Sequence, residues 1–168
     1  VLGEGEVSFT ELIEALQSGK SEKRIIQGKR PELDSLHFAD RDLFDTQEFP
    51  FFKDLPLPFV TIISSRGCPY QCTFCQPAEK IVFGAHVRKR TVGHVIAELK
   101  LLREKYKFQS LMIHDDCLTA DKAWVREFCR EYKLNGFTQP WVCQVKANHV
   151  CSAPELIGEM KAAGLRAV

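Results

Sequence analysis

The chain has 168 residues, 45% of them hydrophobic and 27% charged, a balance that fits a globular fold with a sizeable core. A formal net charge of +1 gives no general electrostatic case for binding nucleic acid or a membrane surface. No apolar run approaches the roughly 20 residues of a membrane span, and the opening Val1-Leu2-Gly3-Glu4 has neither the basic start nor the apolar core of a signal peptide. Seven cysteines, an odd number with three crowded together, argue against a disulfide framework and for a reducing, cytoplasmic location.

Residues 1–20 open with a Gly/Glu turn. Ser8-Phe9-Thr10-Glu11 then has the spacing of a capping box, and Phe9, Leu12, Ile13 and Leu16 recur with helical period up to a stop at Gly19. The spacing predicts a short amphipathic packing helix. Residues 21–57 carry a brief strand candidate, Arg24-Ile25-Ile26-Gln27, but otherwise only Pro, Asp and Phe without sustained period. So long a stretch without regular structure reads as an interdomain linker ending near Pro50–Pro58.

From residue 58 strands alternate with helices. Phe59–Ile63 is a buried-strand pattern, followed by a cysteine-bearing loop over 64–90. A helix starts near Thr91 with its stripe on Val92, Val95, Ile96, Leu99 and Leu102. Ser110–Ile113 is the second strand. A second helix from about Asp121 carries Trp124, Val125, Phe128, Cys129 and Tyr132 and closes at Asn135-Gly136. Trp141–Val145 is the third strand. The third helix opens with a second capping box, Ser152-Ala153-Pro154-Glu155, and stops at Gly164, and Leu165–Val168 starts a fourth strand. This repetition predicts an α/β fold with parallel strands and right-handed crossovers. Three units and a fourth strand make about half of a (β/α) barrel, so the chain reads as an internal piece of a longer protein. In such folds ligands gather at the carboxyl ends of the strands. The cysteine loop, His114-Asp115-Asp116 and Lys146-Ala147-Asn148 all follow strand ends and are expected on that rim.

The loop Arg66-Gly67-Cys68-Pro69-Tyr70-Gln71-Cys72-Thr73-Phe74-Cys75 spaces its thiols C-x3-C-x2-C. Thiolates favour zinc or iron–sulfur clusters. Three of them can hold a [4Fe–4S] cluster with one iron left open. A zinc site completed by His86, and a fourth cluster ligand from the rim residues Cys117 or Cys151, are the alternatives. Cys129 and Cys143 lie on a helix stripe and a strand, where free cysteine behaves as a small buried hydrophobe.

The spacing of Cys68, Cys72 and Cys75, with Phe74 before the last, after a first barrel strand, resembles the radical S-adenosylmethionine superfamily. Gly3-Glu4-Gly5-Glu6, Leu33-Asp34-Ser35-Leu36, Ser65–Tyr70, Arg88-Lys89-Arg90 and Ile113-His114-Asp115-Asp116 together are similar to its branch with an N-terminal cobalamin-binding domain. The resemblance implies a partial radical SAM barrel of TIM-like type over 58–168. Residues 21–57 become the linker and 1–20 the remnant of an upstream cobalamin-binding-like domain. It implies a [4Fe–4S] cluster on Cys68, Cys72 and Cys75 that reductively cleaves S-adenosylmethionine to a 5′-deoxyadenosyl radical. Phe74 would lie near the adenine, and Asp115 and Asp116 near the methionine amino group. Relatives often carry Arg and Asp where this chain has Lys146 and Asn148, and Lys146 can still meet a carboxylate as a point charge. Arg88 and Arg90 are candidates for flanking the site.

The expected reaction is cobalamin-dependent methyl transfer to a small-molecule or peptide substrate, with flavodoxin or ferredoxin as electron donor. A radical cyclase or rearrangement enzyme, or a methylthiotransferase, is the alternative. A non-catalytic iron–sulfur or zinc module is the alternative of another class. The cobalamin-ligating D-x-H-x-x-G motif is absent from these residues, so cobalamin would bind through the upstream domain.

Overall fold

The computed structural model describes residues 1–20, 25–43, 54–73, 75, 78–84 and 86–168. They divide into two compact units, Val1–His37 with Gly67–Arg88, and Phe38–Arg66 with Lys89–Val168.

The first unit contains helices α1 (Glu6–Gln17) and α2 (Ala78–Val82). Helix α1 begins earlier than the expected box: Gly5 is its N-cap, and the Gly5 carbonyl already accepts from the Phe9 N–H at 2.7 Å. Ser8 therefore falls inside the first turn and cannot cap. It is buried instead, donating to the Gln27 carbonyl at 3.4 Å and accepting from the Lys29 N–H at 2.9 Å. Gly19, with φ +70°, closes the helix. The expectation of a packed apolar stripe is corrected here, because Phe9, Ile13 and Leu16 are 56%, 41% and 60% exposed.

Ile25–Gln27 form no strand, only an isolated parallel bridge from Gln27 to Leu2. Arg24 and the aromatic end of the linker, Phe44 to Phe52, lie outside the described residues. Glu4 is buried and ion-paired to Arg88 and, at 3.9 Å, to Arg30. The chain crosses Glu4 so closely at Gly28 that a Cβ there would lie 2.2 Å from the Glu4 carbonyl oxygen.

The second unit is an α/β sheet with parallel strands. Strands β1 (Phe59–Ile62), β2 (Ser110–Ile113), β3 (Trp141–Cys143) and β4 (Leu165–Ala167) lie side by side in chain order, all neighbours parallel. Val60, Leu111, Trp141 and Leu165 stand in one register row, and Ile62, Ile113 and Cys143 in another. These rows face the helices α3 (Val92–Tyr106), α4 (Lys122–Leu134) and α6 (Pro154–Ala162), whose stripes complete the core. Period-2 alternation meeting period-3.6 stripes is what builds such a layer.

Aromatic rings lock α4 onto β3. Phe128 stands edge-on to Trp141 at 5.6 Å between ring centres, and the Trp141 Nε1–H donates to the Ala163 carbonyl at 2.9 Å. The opposite sheet face carries a small cluster of Phe59, Met112 and Val142 with Leu55. Beside it opens a cavity of about 580 Å3 lined by Asp54, Leu55, Pro56, Pro140, Val142 and Arg166.

Thr91 caps α3 by accepting from the His94 N–H, and Asp121 caps α4 by accepting from the Trp124 N–H. The expected box at Ser152 is again displaced. An extra helix, α5 (Ala147–Ser152), ends on Ser152, and α6 follows from Ala153 with Pro154 in its first turn and no side-chain cap. Proline suits that position because its missing N–H would have no partner there. Among the described residues no helix is long and apolar enough to cross a membrane.

Candidate functional site

The cysteine loop belongs to the first unit. Gly67 turns the chain with φ +91° immediately before Cys68, passing so close to the 84–86 segment that a Cβ would lie 2.7 Å from the His86 carbonyl oxygen. Only glycine meets both demands without strain. Cys68 and Cys72 are half-buried and Cys75 is exposed; the Cys75 N–H donates to the Cys72 carbonyl at 3.1 Å. Among the described residues no three His, Cys, Asp or Glu side chains are gathered closely enough to hold a metal ion, His86 included. The donor set itself still fits a soft, thiolate-bound group, with three thiols in eight residues, none of them in a disulfide and none fully buried. Phe74 lies outside the described residues.

The second unit supplies the strand ends. Asp115 follows β2 and is 1% exposed, and its carboxylate is fully engaged. Oδ1 accepts the backbone N–H groups of Ser64 (2.7 Å) and Ser65 (3.0 Å), and Oδ2 accepts both hydroxyls at 2.6 Å. Ser64 and Ser65 are themselves buried and follow β1. Four charge-assisted hydrogen bonds at one buried carboxylate tie the end of β1 to the end of β2. Asp116 is exposed beside it, and Lys146, half-buried, follows β3 and begins α5. Asp115, Asp116 and Lys146 therefore lie after the carboxyl ends of adjacent strands, whereas the three cysteines belong to the other unit.

Two expected flanking cations have internal partners. Arg88 pairs with Glu4 and donates to the Pro31 carbonyl at 3.1 Å. Arg90 pairs with buried Glu98 at 2.6 Å and donates to the Ile63 carbonyl at 3.0 Å; Arg41 meets the other Glu98 oxygen at 3.1 Å. These guanidiniums brace the fold.

Lys89 lies between them in sequence. Its ammonium donates to the Leu118 carbonyl at 3.2 Å and sits 4.5 Å from the Trp124 ring centre. Burial lowers its pKa, against the opposing pull of Asp115, Asp121 and Cys117. No local pattern marks it, since both contacts come from distant segments.

The other thiols divide by environment. Burial pushes Cys129 up to about 11 and Cys143 up to about 12, so both stay protonated at neutral pH, as expected of core residues. Cys117 is buried with its sulfur 3.9 Å from His149 Nδ1 and 3.8 Å from Thr119 Oγ1, and Thr119 Oγ1 lies 2.8 Å from the same ring nitrogen. Cys151 is exposed on α5.

No protein-family profile matches the chain. It is 29% identical over 160 residues to an uncharacterized methyltransferase of Pyrococcus horikoshii, covering 88% of this chain and 34% of that protein. It is 29% identical over 134 residues to the cytidylyl-2-hydroxyethylphosphonate methyltransferase of Streptomyces wedmorensis, covering 76% of this chain and 24% of that protein. It is 23% identical over 185 residues to the anaerobic magnesium-protoporphyrin IX monomethyl ester cyclase of Synechocystis, covering 98% and 35%. The chain is thus similar to proteins named as methyltransferases and, at lower identity, to one named as a cyclase, and it spans about a quarter to a third of their length.

Proposed function

We propose that this chain is part of a radical S-adenosylmethionine enzyme in which Cys68, Cys72 and Cys75 hold a [4Fe–4S] cluster. The observation that carries this is one arrangement. A C-x3-C-x2-C loop follows the first strand of a parallel α/β sheet, and polar groups follow the carboxyl ends of the next two strands. The sheet is compatible with the first half of a (β/α) barrel. The relatives named as methyltransferases favour methyl transfer, and the relative named as a cyclase keeps a radical cyclisation as the second reading. On the same reading residues 58–168 begin the barrel and 21–57 are a linker. Residues 1–20 close an upstream domain, through which cobalamin would bind. The thiols' need for a reducing environment supports a cytoplasmic location and an electron donor of the flavodoxin or ferredoxin type.

Such a cluster, when bound, supplies one electron to S-adenosylmethionine, whose carbon–sulfur bond then breaks to methionine and a 5′-deoxyadenosyl radical. The chain's own residues bind and orient. Asp116 offers a carboxylate to the amino group of S-adenosylmethionine, and Lys146 offers an ammonium to its carboxylate. Any contact from Asp115 would come through its backbone, because the serines occupy its side chain. Phe74 is assigned to the adenine.

The test is anaerobic reconstitution of the complete protein. Uptake of about four irons per chain, with a spectrum that shifts on adding S-adenosylmethionine, is the expected result. One tightly held zinc and no iron would refute the enzyme reading. Alanine at Cys68, Cys72 or Cys75 should abolish iron uptake, whereas alanine at Cys129 or Cys143 should leave it unchanged and cost packing, about 1–2 kcal/mol.

A further inference from the structure

We propose that Asp115 is a positioning residue for the cysteine loop, acting through Ser64 and Ser65 and not through its charge on a ligand. This deepens the functional reading above and rests on it.

The chain runs from β1 through Ser64-Ser65-Arg66-Gly67 into Cys68, so whatever fixes the two serines fixes the point from which the thiol-bearing segment departs. Asp115 does so with every favourable acceptor direction it has. Both serine N–H groups terminate on Oδ1, and both hydroxyls terminate on Oδ2. Ser64, Ser65 and Asp115 are 0%, 5% and 1% exposed, so water offers no substitute. The same segment is pinned from its other side. The Arg90 N–H donates to the Ser64 carbonyl at 2.9 Å, and the His114 N–H donates to the Ile62 carbonyl at 2.8 Å. The Arg90 guanidinium adds a donor to the Ile63 carbonyl at 3.0 Å, and Asp115 supplies the side-chain partner of the two serines. Removing an outer partner that orients a metal's ligands commonly costs about 10–100-fold in affinity.

The chemistry of the clamp separates this role from recognition of a cation. A carboxamide at position 115 keeps the shape: its oxygen can accept both serine N–H groups, and its NH2 can donate to the two hydroxyls, which turn to accept. Asp115→Asn therefore preserves the clamp while deleting the charge. Ser64→Ala with Ser65→Ala does the reverse, keeping the charge while leaving Oδ2 buried without a donor.

The test compares these two variants with the wild type in the complete protein. The readouts are iron and sulfide per chain after anaerobic reconstitution, the electron paramagnetic resonance spectrum of the reduced cluster, and S-adenosylmethionine affinity. Asp115→Asn is expected to match wild-type iron content and to bind S-adenosylmethionine within about threefold. The double serine variant is expected to lose about tenfold or more in cluster retention against a chelator. Full iron in Asp115→Asn with an affinity for S-adenosylmethionine weakened about tenfold or more would overturn the proposal, as would wild-type retention in the double serine variant. If the wild type itself takes up no cluster, it is the functional reading that fails.

Discussion

At Gly67 two constraints coincide, a left-handed φ and a carbonyl within 2.7 Å of where a Cβ would be. Gly67→Ala is expected to cost about 1–3 kcal/mol, read as a lowered urea midpoint. The thiols should sort by environment under alkylation at pH 8 in the native, metal-free protein. Cys75 and Cys151 are exposed and should react first, while Cys129 and Cys143, buried and held protonated, should react only on unfolding. Mass spectrometry of the labelled peptides gives the order.

His149 supplies a pH dependence. Burial, and then the charges of Lys122 and Lys146, lower its pKa from the ordinary 6.5. Between that lowered value and 6.5 the unfolded chain binds more protons than the folded one, so stability rises with pH across the window and levels off above it. Melting temperatures between pH 5 and 7 should show this rise in the wild type and a shallower one in His149→Gln. The cysteine pattern was legible in the sequence because it is local, three cysteines in eight residues. The Ser64–Ser65–Asp115 clamp was not, because 51 residues separate its members and nothing near either end marks the other. Arg88 looked like a ligand-binding cation for the same reason, since Glu4 lies 84 residues away, whereas the partner of Arg90, Glu98, lies only eight residues on.

The helices show which local signals can be trusted. Thr91 and Asp121 cap because the residue before each helix is extended, leaving the side chain free to turn back on the first N–H groups. Alanine at either should cost about 1 kcal/mol. Ser152→Ala should change stability little, because Ser152 ends α5 and makes no cap for α6. Thermal melts of the three variants test the contrast. The strands and the stripes of α3, α4 and α6 were readable from periodicity. The start of α1 and the existence of α5 were not: a serine–glutamate spacing of three also occurs inside a helix, as Ser8 and Glu11 do.

At the scale of the molecule the parallel sheet is sided. One face is thickly covered by helices, while the other carries Phe59, Met112 and Val142 beside a cavity of about 580 Å3. The three side chains are buried, at 6%, 4% and 2% exposure, so the sheet's open feature among the described residues is its edges, strands β1 and β4. Residues 1–168 expressed alone should self-associate through such an edge, with an apparent mass in sedimentation that rises with concentration. A stable monomer across the range would contradict that expectation.

The clamp at Asp115 also bears on time. Its two halves are joined by a 51-residue loop containing all of α3 and β2, so it closes late, only after β2 has been laid against β1. If the thiols hold the proposed cluster and its capture depends on that closure, the nascent chain cannot load them productively while the sheet is still forming. Maturation then has a built-in sequence, folding first and cofactor second, which spares the unfolded cysteines from trapping metal in the wrong state.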